Sequence, residues 1–363
     1  MLLCPSEKGR HNVLIVGNLI ANPSSKAFLK KFTNIIGEIG NNIFVVSADE
    51  PSHYDNLEWF ELRLKHKKSP FDRIFSFLFT QIRLIKILIS HSKTYDISVI
   101  LPTSFFIPLL ILRMFNKKVI LYVDGKPNSK LLTFFCHIGF VFANLLVVES
   151  TNVINEWNIH KYTKKISLCP QYVDETNFKN ENDIKTRCDI VGYVGGLTEN
   201  KGVKEFLQAI SILNSKQVNI NYVIGGVGVL EEMVNNCCNI YDNVEFKGLI
   251  NHENELPLVL NEIKLLVLPS FSEGLPNIIL ESMSCGTPVL ATSVGGIPDV
   301  IINGETGFIM ENNSSECIAN NIVKALNQPH LEEITFNALS LINQKYRFKT
   351  CVKRYLEIFE NLC

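Results

Sequence analysis

The sequence predicts an α/β protein made of two Rossmann-like, doubly wound domains facing each other across a cleft. Three observations carry that prediction. Apolar strand-length runs alternate with amphipathic helix-length runs along the chain. The series starts afresh after residue 170. Glycine turns follow several of the apolar runs, at the strand ends where open parallel sheets present ligand sites.

The first series opens with NVLIVGN (12–18) as a strand, SSKAFLKKFTNIIGEIG (24–40) as a helix closing at Gly40, and NIFVVSA (42–48) as a strand. YDISVILP (95–102), KKVILYVD (117–124) and LLVVES (145–150) continue it as parallel strands. Two stretches, 99–115 and 131–148, are almost membrane-like. Each is short of the ~20 residues a span prefers or is broken by Pro, His and Asn. They are therefore expected to be buried strand-and-helix pairs. The second series runs through DIVGYVGGL (189–197), the helix KEFLQAISILNS (204–215), NINYVIGGVG (219–228), NVEFKGLI (243–250), KLLVLPS (264–270), PVLAT (288–292) and TGFIM (306–310). The boundary is expected near residue 170, giving domains 1–170 and 171–345. The amphipathic segment 346–363 is expected to pack back on the first domain.

Composition narrows the function classes. The chain has 363 residues, with a hydrophobic fraction of 46% and a charged fraction of 20%, so it is globular and of about two domains. A formal net charge of −1 argues against nucleic acid as a partner. Ten cysteines are scattered without a CxxC pair or His spacing suited to zinc, so no metal site is expected. No secretory signal is legible at the start, and a reduced cytoplasmic compartment fits, with the cysteines acting as small buried hydrophobes.

The chemistry concentrates in FSEGLPNIILESMSCGTPVLATSVGG (271–296). A strand precedes it, Pro276 suits a helix's first turn, and Gly286 suits the left-handed residue just past its end. The intervening helix would point its first amides, with their partial positive charge, at a bound phosphate. Glu273 lies in the loop and Glu281 more than a turn into the helix. Each could accept hydroxyl hydrogen bonds on either side of a diphosphate, with a ribose diol at Glu281 and a sugar hydroxyl at Glu273. Equally, one could be an acid at a helix start and the other part of a solvated face. In GYVGGLTENKG (192–202) a strand runs into Gly195 and Gly196, and Lys201 follows. That lysine could neutralise a diphosphate or simply be solvated on a turn. VIGGVG (223–228), with Gly225, is a weaker signal because glycine turns also serve packing.

On these motifs the chain resembles the retaining glycosyltransferases of family 4, with the GT-B fold. The resemblance is most specific over 268–310, which matches the Glu-x7-Glu, Gly-Gly-x-Pro and Gly-x-x-Gly segments of that family. YVGGLTENKG matches its phosphate-binding segment, and 164–178 resembles the crossing between domains. The resemblance implies a nucleotide-diphosphate sugar, UDP- or GDP-linked, as donor substrate in the second domain, with no permanently bound cofactor and no metal. It assigns the ribose to Glu281, the donor sugar to Glu273, and the diphosphate to Lys201 and the backbone around Gly274, Leu275, Pro276 and Asn277. The turns at Gly195, Gly196 and Gly225 and the first loop at Ser24 complete the donor contacts. The first domain would hold a glycan or lipid-linked acceptor, in cell-surface polysaccharide or glycolipid synthesis.

Three positions depart from the family pattern. Gly196 stands where Arg is common, Ser24-Ser25 where a Gly pair is usual, and Asp124-Gly125 where His-Gly is usual. Asp124 could face the sugar, act as general base toward the acceptor, or be a turn residue. The reaction implied is a front-face displacement in which Lys201 and helix amides stabilise the departing diphosphate and Glu273 stabilises the sugar ring. Two other functions share the architecture: a nucleotide-sugar epimerase and a non-catalytic partner subunit. A dinucleotide oxidoreductase is disfavoured, since VGNLIANPSS lacks G-x-G-x-x-G.

Charge is uneven. Residues 62–93 carry eight lysines and arginines, from Arg63 to Lys93, against one acid, Asp72, with Phe71, Phe75, Phe77, Phe79 and Ile82 among them. Such a segment is either a basic amphipathic helix on an anionic membrane surface, which would place the protein at the inner face of the cell membrane, or an ordinary helix with a solvated basic face.

Overall fold

The computed structural model describes residues 11–21, 23–64, 70–101, 106–123, 126 and 129–362. They fall into two compact units. Unit 1 comprises the chain up to Gln171 together with Lys349 onward, and unit 2 is Tyr172–Phe348.

Unit 1 is built on β1 (Val13–Val16), β2 (Ile43–Ser47), β3 (Leu57–Glu61), β4 (Ile97–Ile100), β5 (Lys118–Val123), β6 (Leu145–Val148) and β7 (Ile166–Leu168). These pair in the order β3-β2-β1-β4-β5-β6-β7, every neighbour parallel. The inner strands VLIV and ISVI are buried along their whole length, as a sheet covered on both faces requires. The connections include α1 (Pro23–Ile39), α2 (Pro70–Ser90), α3 (Phe106–Met114), α4 (Lys130–Phe142) and α5 (Thr151–Trp157). Leu84 of α2, Leu109 of α3 and Phe140 of α4 share one core with Leu14, Leu121 and Leu146 of the sheet, so these three helices lie side by side on one face.

Unit 2 holds β8 (Ile190–Val194), β9 (Asn221–Gly225), β10 (Val244–Gly248), β11 (Leu265–Leu268), β12 (Val289–Thr292) and β13 (Phe308–Met310). Their order is β10-β9-β8-β11-β12-β13, again all parallel. The helices are α6 (Val203–Ser215), α7 (Glu231–Ile240), α8 (Leu256–Glu262), α9 (Asn277–Ser284), α10 (Ser315–Leu326) and α11 (Leu331–Lys345). The direction of winding reverses between β8 and β11, so their carboxyl ends flank the crevice where doubly wound sheets bind ligands. A last helix, α12 (Phe348–Leu362), belongs to unit 1 from Lys349 on. Its Tyr355 ring meets Phe32 edge-on at 5.4 Å.

The two membrane-like stretches resolve into the end of β4 with α3, and α4 with β6. Among the described residues no helix is long and apolar enough to cross a membrane. Strands β3 and β7 are absent from the sequence reading. Both are edge strands of the unit 1 sheet, and an edge strand such as LEWFE, buried on neither face, shows no apolar run to find. The cysteines depart from the expectation of uniform burial. Cys136, Cys169, Cys237, Cys285 and Cys351 are buried free thiols, whereas Cys188 is exposed.

Candidate functional site

The site is built at the carboxyl ends of β8 and β11. After β8 the chain turns through Gly195 and Gly196, and after β9 through Gly225, Gly226 and Gly228. The two turns pack backbone against backbone: Gly195 N–H donates to Gly225 O (3.0 Å) and Leu197 N–H to Val227 O (2.9 Å). Gly226 has φ +140°, and a Cβ there would lie 1.8 Å from Gly195 O. Packing therefore accounts for the second turn. The Cβ space of Gly225 itself is filled by Ile250. Gly196 differs, because a Cβ there would meet nothing within 4 Å. Tyr193 O–H donates to Gly196 O (2.8 Å). Burial, and then the nearby Glu273 carboxylate, push the Tyr193 phenol well above its ordinary range, so it stays a neutral donor.

Lys201 ends a single helical turn, Glu199–Lys201, closed by Gly202 at φ +70°. A Cβ at Gly202 would sit 2.1 Å from Pro269 O, so only glycine lets this turn touch the loop leaving β11. Phe271 N–H then donates to Asn200 O (2.9 Å), joining the two loops. The consequence is an ion pair that sequence spacing did not reveal: Lys201 Nζ lies 2.7 Å from Glu273 Oε2. Ser270 Oγ donates to the other oxygen, Oε1, at 2.6 Å. Glu273 is 9% exposed and Lys201 34%, so the carboxylate is held inside and the ammonium reaches solvent.

The loop carrying Glu273 is fixed from two further sides. Asn313 Nδ2 donates to Pro269 O (2.7 Å) and Ser270 O (3.0 Å). Gly296 N–H donates to Gly274 O (2.6 Å). Gly295, at φ +58°, would place a Cβ 2.0 Å from Glu273 O, so the Gly-Gly pair permits this approach. The backbone at Gly274 is open, with nothing within 4 Å of an added Cβ. Leu275 is buried.

Helix α9 begins at Asn277. Pro276, expected in its first turn, instead occupies the cap position with φ −68° and an extended ψ of 124°, half a step outside the helix. Gly286 is left-handed at φ +69°, as expected just past the end. Asn277 carries a buried Oδ1 without a hydrogen-bond partner. Glu281 is 2% exposed, which removes the solvated-face reading of this residue. Its Oε1 lies 3.0 Å from His252 Nε2, and the His252 ring stands edge-on to Phe178 at 5.3 Å. His252, Ser270 and Tyr193 were not found from the sequence. His252 reaches Glu281 only through the fold, whereas Ser270 and Tyr193 lie within 268–310 and 192–202, where residue type alone assigns a serine or a tyrosine no partner.

One buried cation holds the frame. Arg187 donates to Leu260 O (3.1 Å), Ile263 O (2.9 Å) and Cys285 O (2.7 Å), tying together the carboxyl ends of α8 and α9. Burial lowers its pKa. The site thus joins Lys201, Glu273 and Ser270 as one cluster near Gly196, and pairs Glu281 with His252 as another. Ser24 falls in α1 with its side chain outside the described residues, and Asp124 lies outside them altogether. Among the described residues no group of three His, Cys, Asp or Glu could hold a metal ion.

This geometry can be set beside known proteins. Residues 174–338 match the family model of glycosyl transferases group 1. The matched span contains Lys201, Glu273, Gly274 and Glu281 and lies wholly in unit 2. The capsular polysaccharide biosynthesis glycosyltransferase CapM of Staphylococcus aureus is 31% identical over 162 residues, 43% of this chain and 42% of that protein. The N-acetyl-alpha-D-glucosaminyl L-malate synthase of Bacillus anthracis is 27% identical over 235 residues, 61% of this chain and 60% of that protein. The matches to curated relatives thus span from under half to about three fifths of those proteins' length. HepE from Anabaena, solved with UDP and with UDP-glucose, superposes with TM-scores of 0.77 and 0.75. The UDP complex matches over 96% of this chain and 100% of that one, at 15% identity. That likeness establishes the fold, and the GT-B class expected from the sequence is the one found.

Proposed function

We propose that this chain is a metal-independent, retaining glycosyltransferase of family 4 that moves a hexose from a UDP-sugar to a glycan or lipid-linked acceptor. The Lys201–Glu273 pair, at the open glycine turn and beside the start of α9, is the observation that carries the reading. A cation that reaches solvent, an open backbone at Gly196 and Gly274, and first-turn helix amides together suit a diphosphate. The similarity to a capsular polysaccharide biosynthesis glycosyltransferase supports the transferase class, and the UDP and UDP-glucose complexes of HepE support this donor class.

In this reading unit 2 holds the donor and unit 1 the acceptor. Glu281, oriented by His252, accepts the ribose hydroxyls. Lys201 and the amides of Asn277 and Ile278 take up the negative charge that grows on the leaving oxygen. The Glu273 carboxylate, fixed by Ser270, favours the positive charge that grows on the sugar ring. The incoming hydroxyl attacks from the face the diphosphate leaves, so the anomeric configuration is kept. Removing one such electrostatic contact typically costs about 10²–10³ in rate.

Calorimetric titration of the protein with UDP, GDP and NAD, followed by NMR of the product formed from the UDP-sugar it binds, tests the proposal. Heat with UDP and an axial-to-axial glycoside are expected. No binding of any nucleotide diphosphate, or an inverted product, would refute it. Conversion of the donor without an acceptor would identify an epimerase instead.

A further inference from the structure

α2 turns apolar residues to solvent as well as to the sheet, where Leu84 and Leu88 are buried at 0% and 1% exposure. Thr80 and Gln81 face inward, each 5% exposed, and the Gln81 amide nitrogen is buried without a hydrogen-bond partner. Phe79 and Ile82, by contrast, face solvent at 63% and 52% exposure. Leu78 and Ile89 continue the same apolar stripe at helical spacing, and the exposed Lys86 sits within it. Covering the sheet needs only the inward face, and leaving a second row of large apolar side chains in water costs free energy.

The stripe does not stand alone. α3 and α4 lie beside α2 on the same face of the sheet, and α4 exposes Leu131, Phe134 and Val141. Among the described side chains of the three helices there are four cations, Arg83, Lys86, Arg113 and Lys130, and no acid. Arg83, Lys86 and Lys130 are exposed. A second protein copy would bring the same excess of cations against itself. A surface that is apolar, broad and positive fits an anionic phospholipid interface, where aromatic and aliphatic tips enter the acyl boundary and cations meet headgroup phosphates.

We infer that α2, α3 and α4 together form a docking face for an anionic membrane surface, with α4 as much a part of it as α2. The face holds unit 1 on the membrane without crossing it.

Flotation of the full chain with phosphatidylglycerol–phosphatidylcholine vesicles and with phosphatidylcholine vesicles tests this. Binding is expected only to the anionic vesicles and should fall with salt. Two variants, Phe79→Ser with Ile82→Ser on α2 and Leu131→Ser with Phe134→Ser on α4, should each weaken binding by about tenfold or more. Arg83→Glu with Lys86→Glu should do the same, since each surface cation contributes about 1 kcal/mol, roughly fivefold. All three should keep the wild-type melting temperature and UDP affinity, which separates this inference from the donor-site proposal. Absence of wild-type binding, or equal binding by the α4 variant, would overturn it. So would light scattering that shows a dimer abolished by the same variants without any vesicle binding.

Discussion

Glu273→Gln should tighten the binding of UDP while lowering turnover. The Lys201 ammonium is 2.7 Å from the Glu273 carboxylate, which neutralises the cation the diphosphate needs. Unit charges about 4 Å apart interact by roughly 4 kcal/mol at an effective dielectric of about 20. Solvent reaches a third of Lys201, so screening brings the net value of the pair down to about 1 kcal/mol. Glutamine keeps the volume and can still accept from Ser270 Oγ, but carries no charge. UDP should then bind about fivefold more tightly, the equivalent of about 1 kcal/mol. Turnover should fall by about 10²–10³, because the charge facing the sugar ring is gone. Calorimetry with UDP at two salt concentrations, beside initial rates with the UDP-sugar, reads both effects. The gain in affinity should shrink as salt rises. If the variant is folded and binds UDP no better than wild type, Lys201 is not the cation that meets the diphosphate.

Three further outcomes follow from the same geometry. Glu281→Gln and His252→Ala should each raise the donor KM by about tenfold with a smaller change in kcat, because both act on a hydroxyl contact made before the transition state; steady-state kinetics decides. Gly196→Arg should strengthen UDP binding by several-fold, about 1 kcal/mol for one charge-assisted contact, since nothing lies within 4 Å of a Cβ at that position; titration calorimetry checks it. Arg187→Ala should lower stability by about 3 kcal/mol in urea unfolding, as three carbonyls at the ends of α8 and α9 each lose a charged donor.

What could be seen in the sequence, and what could not, divides along a physical line. Strands buried on both faces advertise themselves as apolar runs, so the parallel series in both units was legible, as were the glycines at Gly274 and Gly286. The expected helix start was one position early, because Pro276 satisfies a capping position as readily as a first turn. The edge strands β3 and β7 escaped, since half-exposed strands share their composition with loops.

The sequence by itself determined the fold class, because the period of apolar residues sets strand against helix before any tertiary contact forms. It also determined which residue types were at hand, two carboxylates with seven residues between them and a lysine after a glycine turn. Only the tertiary structure decided their partners. Lys201 and Glu273 are 72 positions apart, and Glu281 and His252 are 29 apart. Such pairs form where the crossovers of a parallel sheet return distant loops to one edge, and no local spacing records that. The outward apolar stripe of α2 was decided in the same way: its sequence shows apolar and basic residues, but only packing shows which of them the sheet leaves facing outward.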